Sequence, residues 1–281
     1  MIKKRKVAYQ GVSGAYSHLA CLNHFGSNTL CIENKTFEDA MELVENNEAD
    51  FALIPIENKT AGRVDEFYGL IPNMKLQIVG EHYQKIEHCL LSIKGSSVKN
   101  IVSAYSHPQG LAQCRNTLHE LNINPIAKFD TAGSAKEIAK IGDRSLSAIA
   151  SSLAGEIYGL DIIKPNIQDQ KDNFTRFIVL SKERSFKVSK NKPCVTSMIF
   201  QVSNISSALY KALGGFAKNH INILKIESYI PLQTLKESRF HVEVDASIES
   251  EALKDALFEL KKFTKELTII GSFEKSPMRI F

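Results

Sequence analysis

Along the first 181 residues, short apolar runs alternate with segments whose apolar positions recur at helical spacing. Residues 49–56 form a nearly continuous apolar run, which predicts a strand covered on both faces, as in parallel sheets. Thr36 and Asp39 form a variant capping box just before residues 40–47, which predicts a helix there. This alternation of strands and helices favours an α/β fold with parallel strands.

A second pattern begins after residues 182–193, which are polar and rich in lysine and therefore predict a domain boundary. The segments that follow predict the order βαββαβ, with strands over 197–202, 224–230, 240–244 and 267–270. The first helix of this pattern has its apolar face at Ala208, Leu209, Ala212, Leu213, Phe216 and Ala217. The order predicts a ferredoxin-like domain.

Residues 174–180 are mostly aromatic, β-branched or otherwise apolar, and they predict a largely buried strand. Side chains alternate along a strand, so Phe174 shares one face with Arg176, and Thr175 shares the other with Phe177. Burying an arginine is costly unless an anion meets its guanidinium group. That anion is either an internal carboxylate or a ligand, and both alternatives stay open at this point.

Composition narrows the class of protein. The 281 residues carry a formal net charge of +4, and the basic cluster at 3–6 is expected to be a solvated tail rather than a nucleic-acid surface. No apolar run is long enough to span a bilayer, and no apolar core of a signal peptide follows the basic start. The five cysteines are widely spaced without a CxxC pair, which predicts free thiols in a reducing cytoplasm and no zinc site.

Three loops between a predicted strand and a predicted helix carry glycines or capping residues. Residues 11–17 contain two glycines and lead into a helix for which Ser17 is the expected cap. Ser106 and Ser134 each begin a capping box, completed by Gln or Glu three residues later. Backbone N–H groups at helix starts bind anions, so these loops are candidate anion sites.

Five short motifs follow one another in the order found in prephenate dehydratases. They are GxxGxYS at 11–17, PIEN with a glycine four residues later at 55–62, SHPQ at 106–109, TxxSA at 131–135 and NxTRF at 173–177. The chain therefore resembles that family over nearly its whole length. The resemblance departs at Lys59, where serine is usual, and Thr60 is the expected source of the hydroxyl group there.

The resemblance implies an α/β catalytic domain over residues 1–181, with two lobes of the periplasmic-binding-protein type II. Lobe 1 is expected over about 1–80 and 161–181, and lobe 2 over about 81–160. His88 is interpreted as a core residue without a role. The resemblance implies catalytic roles for Thr175, Arg176 and Asn58, and substrate binding by Ser13, Thr60, Ser106, Gln109, Thr131, Ser134 and Phe177.

Residues 208–228 resemble the ACT domain, an amino-acid-sensing module that many of these enzymes carry, so an ACT regulatory domain is expected over 194–275. The implied phenylalanine-binding residues are Ser207, Ala208, Leu209, Asn222, Glu227 and Ser228. Ser206 and Ser207 replace a Pro-Gly pair of the family, and residues 229–230 replace an Arg-Pro pair. Phenylalanine is therefore expected to bind, but more weakly than in relatives that keep both motifs.

The resemblance as a whole predicts a prephenate dehydratase. Such an enzyme is a carbon–oxygen lyase that forms phenylpyruvate for phenylalanine biosynthesis, under feedback regulation by phenylalanine. Two alternatives stay open, namely an arogenate dehydratase and a non-catalytic anion-binding sensor on the same fold. No cofactor or metal is expected. The expected partners are prephenate, phenylalanine and further copies of the chain in a homodimer or homotetramer, whereas nucleic acid and membranes are not expected.

Overall fold

The computed structural model describes residues 4–183, 192–202, 205–229 and 239–279. The chain forms two compact units. The first unit consists of Met1–Leu43, Leu53–Arg63 and Tyr83–Phe177, and the second of Val44–Ala52, Val64–His82 and Ile178–Phe281. The domain limits of 1–181 and 194–275 stay predictions, and most of the expected linker, residues 184–191, lies outside the described residues.

Strands and helices alternate through the described residues. The strands are β1 (Lys6–Gln10), β2 (Leu30–Asn34), β3 (Phe51–Asn58), β4 (Gly62–Arg63), β5 (Gln77–Lys85), β6 (Cys89–Ser92), β7 (Ser103–Ser106), β8 (Asn124–Ala127), β9 (Leu146–Ala150), β10 (Asp161–Lys164), β11 (Phe174–Ser181), β12 (Cys194–Val202), β13 (Ile223–Tyr229), β14 (Arg239–Val244) and β15 (Thr264–Glu274). The helices are α1 (Tyr16–Phe25), α2 (Phe37–Glu45), α3 (Asp65–Leu70), α4 (Pro108–Gln113), α5 (Arg115–Glu120), α6 (Thr131–Ile141), α7 (Ser152–Tyr158), α8 (Ala208–Lys218) and α9 (Glu251–Lys261), with 3-10 turns at Ile71–Asn73 and Val98–Asn100. Within the described ranges, no helix combines the length and the apolar character that crossing a membrane requires.

The first unit contains two sheets. In one, strands lie in the order β11-β3-β1-β2, and β1 pairs with β2 in parallel, with Val7 opposite Cys31. In the other, the order is β10-β6-β9-β7-β8. The chain builds most of the first sheet, then the second, and returns to the first with β11. This is the two-lobed α/β arrangement that was expected, so the predicted fold class is confirmed.

The second of these sheets is mixed rather than parallel. β7 pairs in parallel with β8 and β9, whereas β6 pairs antiparallel with β9 and β10. The prediction of parallel strands is wrong for β6 and β10. The chain enters and leaves the sheet through these two strands, so no helical crossover fixes their direction. Helix α6 packs on the sheet through Ala135 and Ile138, which share a buried cluster with Leu91 and Ala148.

Of the N-terminal caps predicted for the first two helices, the one at α2 is present and the one at α1 is not. At α2, Thr36 Oγ1 accepts the N–H of Asp39 at 3.0 Å, and the Asp39 carboxylate accepts the N–H of Thr36 at 3.2 Å, so this capping box is confirmed. At α1, the cap position is Ala15, which offers no side-chain hydrogen bond. Ser17 lies inside that helix, and its assignment as the cap is wrong.

Ser106 does not cap α4. It is the last residue of β7, and its hydroxyl donates to the carbonyl oxygen of Ile149 at 2.7 Å. The cap is His107, whose Nδ1 accepts the N–H of Gln109 at 3.2 Å. The capping-box prediction is wrong because a hydrogen bond to the neighbouring strand engages the serine instead.

Ser134 does not cap α6 either, because that helix begins three residues earlier. Asp130 is the cap, and its carboxylate accepts the N–H of Gly133. Ser134 lies in the first turn of the helix and donates its hydroxyl hydrogen to the carbonyl oxygen of Asp130 at 2.7 Å. The prediction is wrong here because an aspartate upstream meets the same free N–H groups of the helix start.

The second unit contains the predicted ferredoxin-like sheet. Its antiparallel strands lie in the order β13-β14-β12-β15, with α8 after β12 and α9 after β14 in the chain. This is the arrangement expected of the βαββαβ order, which is confirmed. One buried core joins Phe200 of β12, Phe216 of α8, Val242 of β14 and Leu257 of α9. Ile230, assigned to the second strand from the sequence, lies outside the described residues.

Candidate active site

Asn58 ends β3 and fixes the loop that follows. Its Oδ1 accepts the backbone N–H groups of Thr60 and Ala61 at 3.0 and 2.9 Å. Backbone N–H groups can only donate, so they determine which side of the amide is oxygen. On the other side, Nδ2 donates to the hydroxyl oxygen of Thr175 at 2.9 Å, although 117 residues separate the two along the chain.

Asn58 and Thr175 line a cavity of about 240 Å³ in the first unit. The structure brings together on its wall five of the ten residues predicted for catalysis or substrate binding. These five are Asn58, Gln109, Thr131, Thr175 and Phe177. The wall also contains Tyr16, Ser17, Pro55, Ile86, His88, His107, Gly110, Gln113 and Asp130.

β11 contributes Thr175 and Phe177 to the cavity wall, as the alternation of its side chains predicts. Arg176 lies outside the wall and is 1% exposed, and its guanidinium group donates to the Glu57 carboxylate at 3.0 Å. The sequence left open whether an internal carboxylate or a ligand meets Arg176. In the structure, the internal carboxylate of Glu57 does so. This ion pair ties β11 to β3 directly beside Asn58 and Thr175.

Three predicted serines lie outside the cavity wall, and each has its hydroxyl group engaged. Ser13 donates to the Glu33 carboxylate through its backbone N–H at 2.9 Å and its hydroxyl at 3.1 Å. Ser106 and Ser134 donate to backbone carbonyl groups. A serine that fixes a loop and a serine that contacts a ligand produce the same motif, so the sequence could not separate these roles.

Thr60 lies on a second, polar cavity of about 270 Å³, whose wall shares Gln109 and Gln113 with the first. The Thr60 hydroxyl donates to Asn58 Oδ1 at 2.8 Å and accepts from Gln113 Nε2 at 2.9 Å. Lys59 instead forms an ion pair with Asp172 in which both side chains are exposed, and such a pair contributes little to stability. Thr60 therefore supplies the hydroxyl group at this loop.

Sequence reasoning gave no catalytic or binding role to six polar residues of the cavity wall, namely Tyr16, Ser17, His88, His107, Gln113 and Asp130, and three of these, Tyr16, His88 and Gln113, contact one another through side-chain hydrogen bonds. His88 follows β5 and precedes β6, and it is buried. Its Nδ1 lies 3.0 Å from the hydroxyl oxygen of Tyr16, and its Nε2 lies 2.8 Å from Gln113 Oε1. Burial lowers the pKa of His88 from its ordinary value of 6.5, so its imidazole is neutral at pH 7.

The wall of the first cavity offers hydrogen-bond donors rather than fixed positive charge. Among the described residues that line it there is neither a lysine nor an arginine. Its carboxylate, Asp130, is engaged as the cap of α6. Amides and hydroxyls such as those of Asn58, Gln109, Thr131 and Thr175 are therefore the groups that can orient a small ligand rich in acceptor oxygens.

Comparison with known proteins gives the family. The sequence profile described as prephenate dehydratase matches residues 7–185. The chain is 38% identical over 277 residues to the "Bifunctional N-acyl-homoserine lactone acylase/prephenate dehydratase" of Komagataeibacter europaeus, covering 98% of each chain. It is also 38% identical to "Arogenate dehydratase 2" of Petunia hybrida, over 95% of this chain and 71% of that protein.

Solved structures agree with this result. A structure described as "GqqA- a novel type of quorum quenching acylases" matches with a TM-score of 0.92 and 36% identity, covering 98% of this chain and 100% of that one. A prephenate dehydratase from Arthrobacter aurescens, in complex with L-Phe, matches with a TM-score of 0.87 and 25% identity, covering 96% of this chain and 90% of that one. The family inferred from the five motifs is thereby confirmed, and the chain belongs to the prephenate dehydratase family.

Proposed function

We propose that this chain catalyses the decarboxylating dehydration of prephenate to phenylpyruvate. The observation that carries the proposal is the position of the Thr175 hydroxyl group. It lies on the wall of the cavity, and its oxygen accepts a hydrogen bond from Asn58 Nδ2. That bond occupies the oxygen and leaves the hydroxyl hydrogen available to a ligand in the cavity.

The reaction needs a donor at one oxygen of the substrate. When the bond between the ring and its carboxylate breaks, CO2 leaves and the electron pair enters the ring. The ring becomes aromatic as the bond to the ring hydroxyl breaks, and that oxygen leaves as hydroxide, which takes up a proton to become water. Negative charge therefore develops on the departing oxygen, and a positioned donor such as Thr175 lowers the barrier.

The remaining wall residues are proposed to bind and orient the substrate. Gln109 and Thr131 offer donors to its carboxylate and carbonyl oxygens, and Phe177 provides an apolar surface for its ring. Ser13, Ser106 and Ser134 are proposed to act by fixing the three loops around the cavity. The catalytic role expected for Arg176 becomes a positioning role, because its guanidinium group holds Glu57 next to Asn58.

The positioning role proposed for Arg176 predicts that its substitution affects the stability of the fold more than substrate binding. Arg176→Lys is expected to lower the stability of the fold by about 1–2 kcal/mol, because lysine lacks the planar fork with which the buried arginine meets the half-buried Glu57 carboxylate. The Michaelis constant for substrate should stay within about twofold of wild type. Thermal unfolding and steady-state kinetics on one preparation test both. A raised Michaelis constant with an unchanged melting temperature would instead mean that the guanidinium group contacts the substrate.

The proposal also states which of two related substrates the enzyme uses. Arogenate has an amino group where prephenate has a keto oxygen, and the relative from Petunia hybrida is described as an arogenate dehydratase. Separate assays with each substrate, and one assay with both present, give the ratio of kcat/KM values. We expect prephenate to have the higher value. Turnover of neither substrate would favour the non-catalytic sensor.

N-Acyl-homoserine lactone hydrolysis is a second candidate activity, because a relative of nearly the same length carries that description beside prephenate dehydratase. Amide hydrolysis requires a base that activates water. His107 and Asp130 line the same cavity as Thr175, and each accepts a helix-cap hydrogen bond, through Nδ1 and Oδ1, so the second carboxylate oxygen of Asp130 is the group proposed as this base. Incubation with an N-acyl-homoserine lactone, followed by detection of the released amine, tests this activity. Inhibition of that reaction by prephenate would show that both use one cavity.

Feedback by phenylalanine is proposed for the second unit, as an ACT regulatory domain. Its ferredoxin-like topology supports this assignment, and the Arthrobacter aurescens prephenate dehydratase was solved in complex with L-Phe. The proposed binding residues are Ser207, Ala208, Leu209, Asn222, Glu227 and Ser228. Homodimers or homotetramers, the cytoplasmic location and the weaker affinity for phenylalanine stay predictions. Calorimetry with phenylalanine tests the binding directly.

A substitution at Ser207 tests this proposal through the stability of the protein and through its affinity for phenylalanine. Its φ angle is +65°, in the left-handed region that costs a serine about 1–2 kcal/mol and glycine almost nothing. Ser207→Gly is expected to raise stability by up to about 1 kcal/mol, since the added freedom of the unfolded chain offsets part of the gain. It should also tighten phenylalanine binding. Ser206→Gly is the matched control and should only destabilise; equal effects of both changes contradict this reasoning.

A further inference from the structure

A continuous series of side-chain hydrogen bonds runs along the walls of the two cavities, which share Gln113, to the proposed donor. All of its members belong to the first unit. Four of its five links join residues that are distant along the chain. The members are linked in the order Tyr16, His88, Gln113, Thr60, Asn58 and Thr175, at 3.0, 2.8, 2.9, 2.8 and 2.9 Å.

The backbone N–H groups that contact Asn58 determine which member of each hydrogen-bonded pair is the donor. Asn58 Oδ1 is fixed as an acceptor by two backbone N–H groups, so the Thr60 hydroxyl must donate to it at 2.8 Å, and Asn173 Oδ1, at 3.3 Å, is a weaker second acceptor of the same hydrogen. A hydroxyl has a single hydrogen, so the oxygen of Thr60 must accept from Gln113. Gln113 therefore presents Nε2 to Thr60 and Oε1 to His88.

The same reasoning assigns the proton of His88. Because Gln113 Oε1 can only accept, His88 Nε2 must carry a hydrogen. Burial keeps the imidazole neutral, so Nδ1 is an acceptor, and the Tyr16 hydroxyl donates to it. That hydroxyl also lies 2.9 Å from the carbonyl oxygen of Glu87, which shares the donated hydrogen. Every bond of the series therefore donates in one direction, toward Thr175.

We infer that these residues form a one-directional hydrogen-bond relay that strengthens Thr175 as a donor, with Tyr16, His88 and Gln113 as its positioning residues. Hydrogen bonds that donate in series polarise one another and strengthen each other by about 10–30% per bond. The relay also occupies the oxygen of Thr175 and leaves its hydrogen to face the cavity. No proton is transferred along the series. The inference rests on the proposed dehydration, because Thr175 needs this strength only if charge develops on a substrate oxygen.

Gln113→Glu tests the relay with little change in shape. A glutamate carboxylate still accepts from His88 but cannot donate to Thr60, so the direction of the series is broken. We expect kcat to fall about tenfold, with the Michaelis constant changed less than about threefold. Melting temperature, measured on the same preparation, reports any loss of stability separately from the loss of turnover.

Gln168→Glu is the matched control. Its Oε1 accepts the backbone N–H of His88 at 2.9 Å, and a glutamate keeps that bond while it adds the same charge to the wall of the neighbouring polar cavity. We expect both variants to raise the Michaelis constant for an anionic substrate to a similar extent. Only Gln113→Glu should lower kcat. An equal fall of kcat in the two variants would mean that charge alone acts, and it would overturn the relay.

The proton position on His88 gives a test that does not depend on turnover. Long-range ¹H–¹⁵N spectra of protein labelled in its histidine rings show which nitrogen carries the hydrogen, and His88→Gln identifies the signal. The relay requires a neutral ring with the hydrogen on Nε2 at pH 7. A hydrogen on Nδ1, or a doubly protonated ring, overturns it. An inactive wild-type protein with the Nε2 hydrogen would refute the proposed reaction but leave this hydrogen-bond direction established.

Discussion

Replacing Thr175 by valine is expected to lower kcat for phenylpyruvate formation by about 10²–10⁴-fold. Valine has nearly the shape of threonine but cannot donate a hydrogen bond to the departing oxygen. The change also removes one acceptor of Asn58 Nδ2, which keeps Asn173 Oδ1 and the carbonyl oxygen of Phe174, so it should cost at most about 1 kcal/mol of stability and leave the protein folded. Steady-state kinetics and thermal unfolding on the same preparation measure the two effects.

Thr175→Ser is the control for this change. Serine keeps the hydroxyl group but loses the methyl group that restricts its rotation, so an intermediate kcat is expected. The Michaelis constants of both variants should stay close to that of wild type, because the donor acts mainly in the transition state. Turnover by Thr175→Val within about threefold of wild type would show that another group assists the leaving oxygen.

Replacing Asn58 by aspartate is expected to lower kcat by about 10²-fold. An aspartate carboxylate still accepts the backbone N–H groups of Thr60 and Ala61, so the loop after β3 keeps its conformation. It cannot donate to Thr175, whose hydroxyl hydrogen then turns toward the new carboxylate and away from the substrate. Steady-state kinetics with prephenate provide the measurement.

Asn173→Asp separates the lost donor from the added charge. Asn173 Oδ1 accepts from Asn58 Nδ2 at 3.0 Å, and an aspartate there keeps accepting while it places a charge close to the same position. Both substitutions should raise the Michaelis constant for an anionic substrate. The fall in kcat is expected to be much larger for Asn58→Asp. Equal falls in kcat contradict the role given to the Asn58 amide.

Local patterns predicted those parts of the fold in which neighbours along the chain decide the structure. The alternation of apolar residues predicted that Thr175 and Phe177 share a face, and both line the cavity. The capping box at Thr36 and Asp39 is present because its two partners lie within one turn. The order of helices and strands after residue 194 predicted the ferredoxin-like sheet.

Contacts between distant segments account for what the sequence did not predict. Ser106 and Ser134 match the capping pattern, yet Ser106 bonds to a carbonyl group 43 residues away, and Asp130 caps the helix that contains Ser134. His88 has no local signature, because its partners Tyr16 and Gln113 lie 72 and 25 residues away. A single polar residue in an apolar segment does not reveal such partners.

Two positions within the family motifs also needed the structure for their meaning. Arg176 had two possible partners in the sequence, and the structure pairs it with Glu57, 119 residues away. Ser207 replaces a glycine of the family, and this replacement was one reason to predict weaker binding of phenylalanine. The backbone there nevertheless has a positive φ angle, so the side chain departs from the family while the chain keeps a conformation that favours glycine.

The most direct test of the central claim follows both products of the proposed reaction at once. Purified protein is incubated with prephenate labelled at its ring carboxylate, and labelled CO2 and phenylpyruvate are measured over time. The wild-type protein is predicted to form the two in equal amounts, and Thr175→Val to form both about 10²–10⁴-fold more slowly. Failure of the wild-type protein to exceed the uncatalysed rate, or equal rates for wild type and Thr175→Val, would contradict the account.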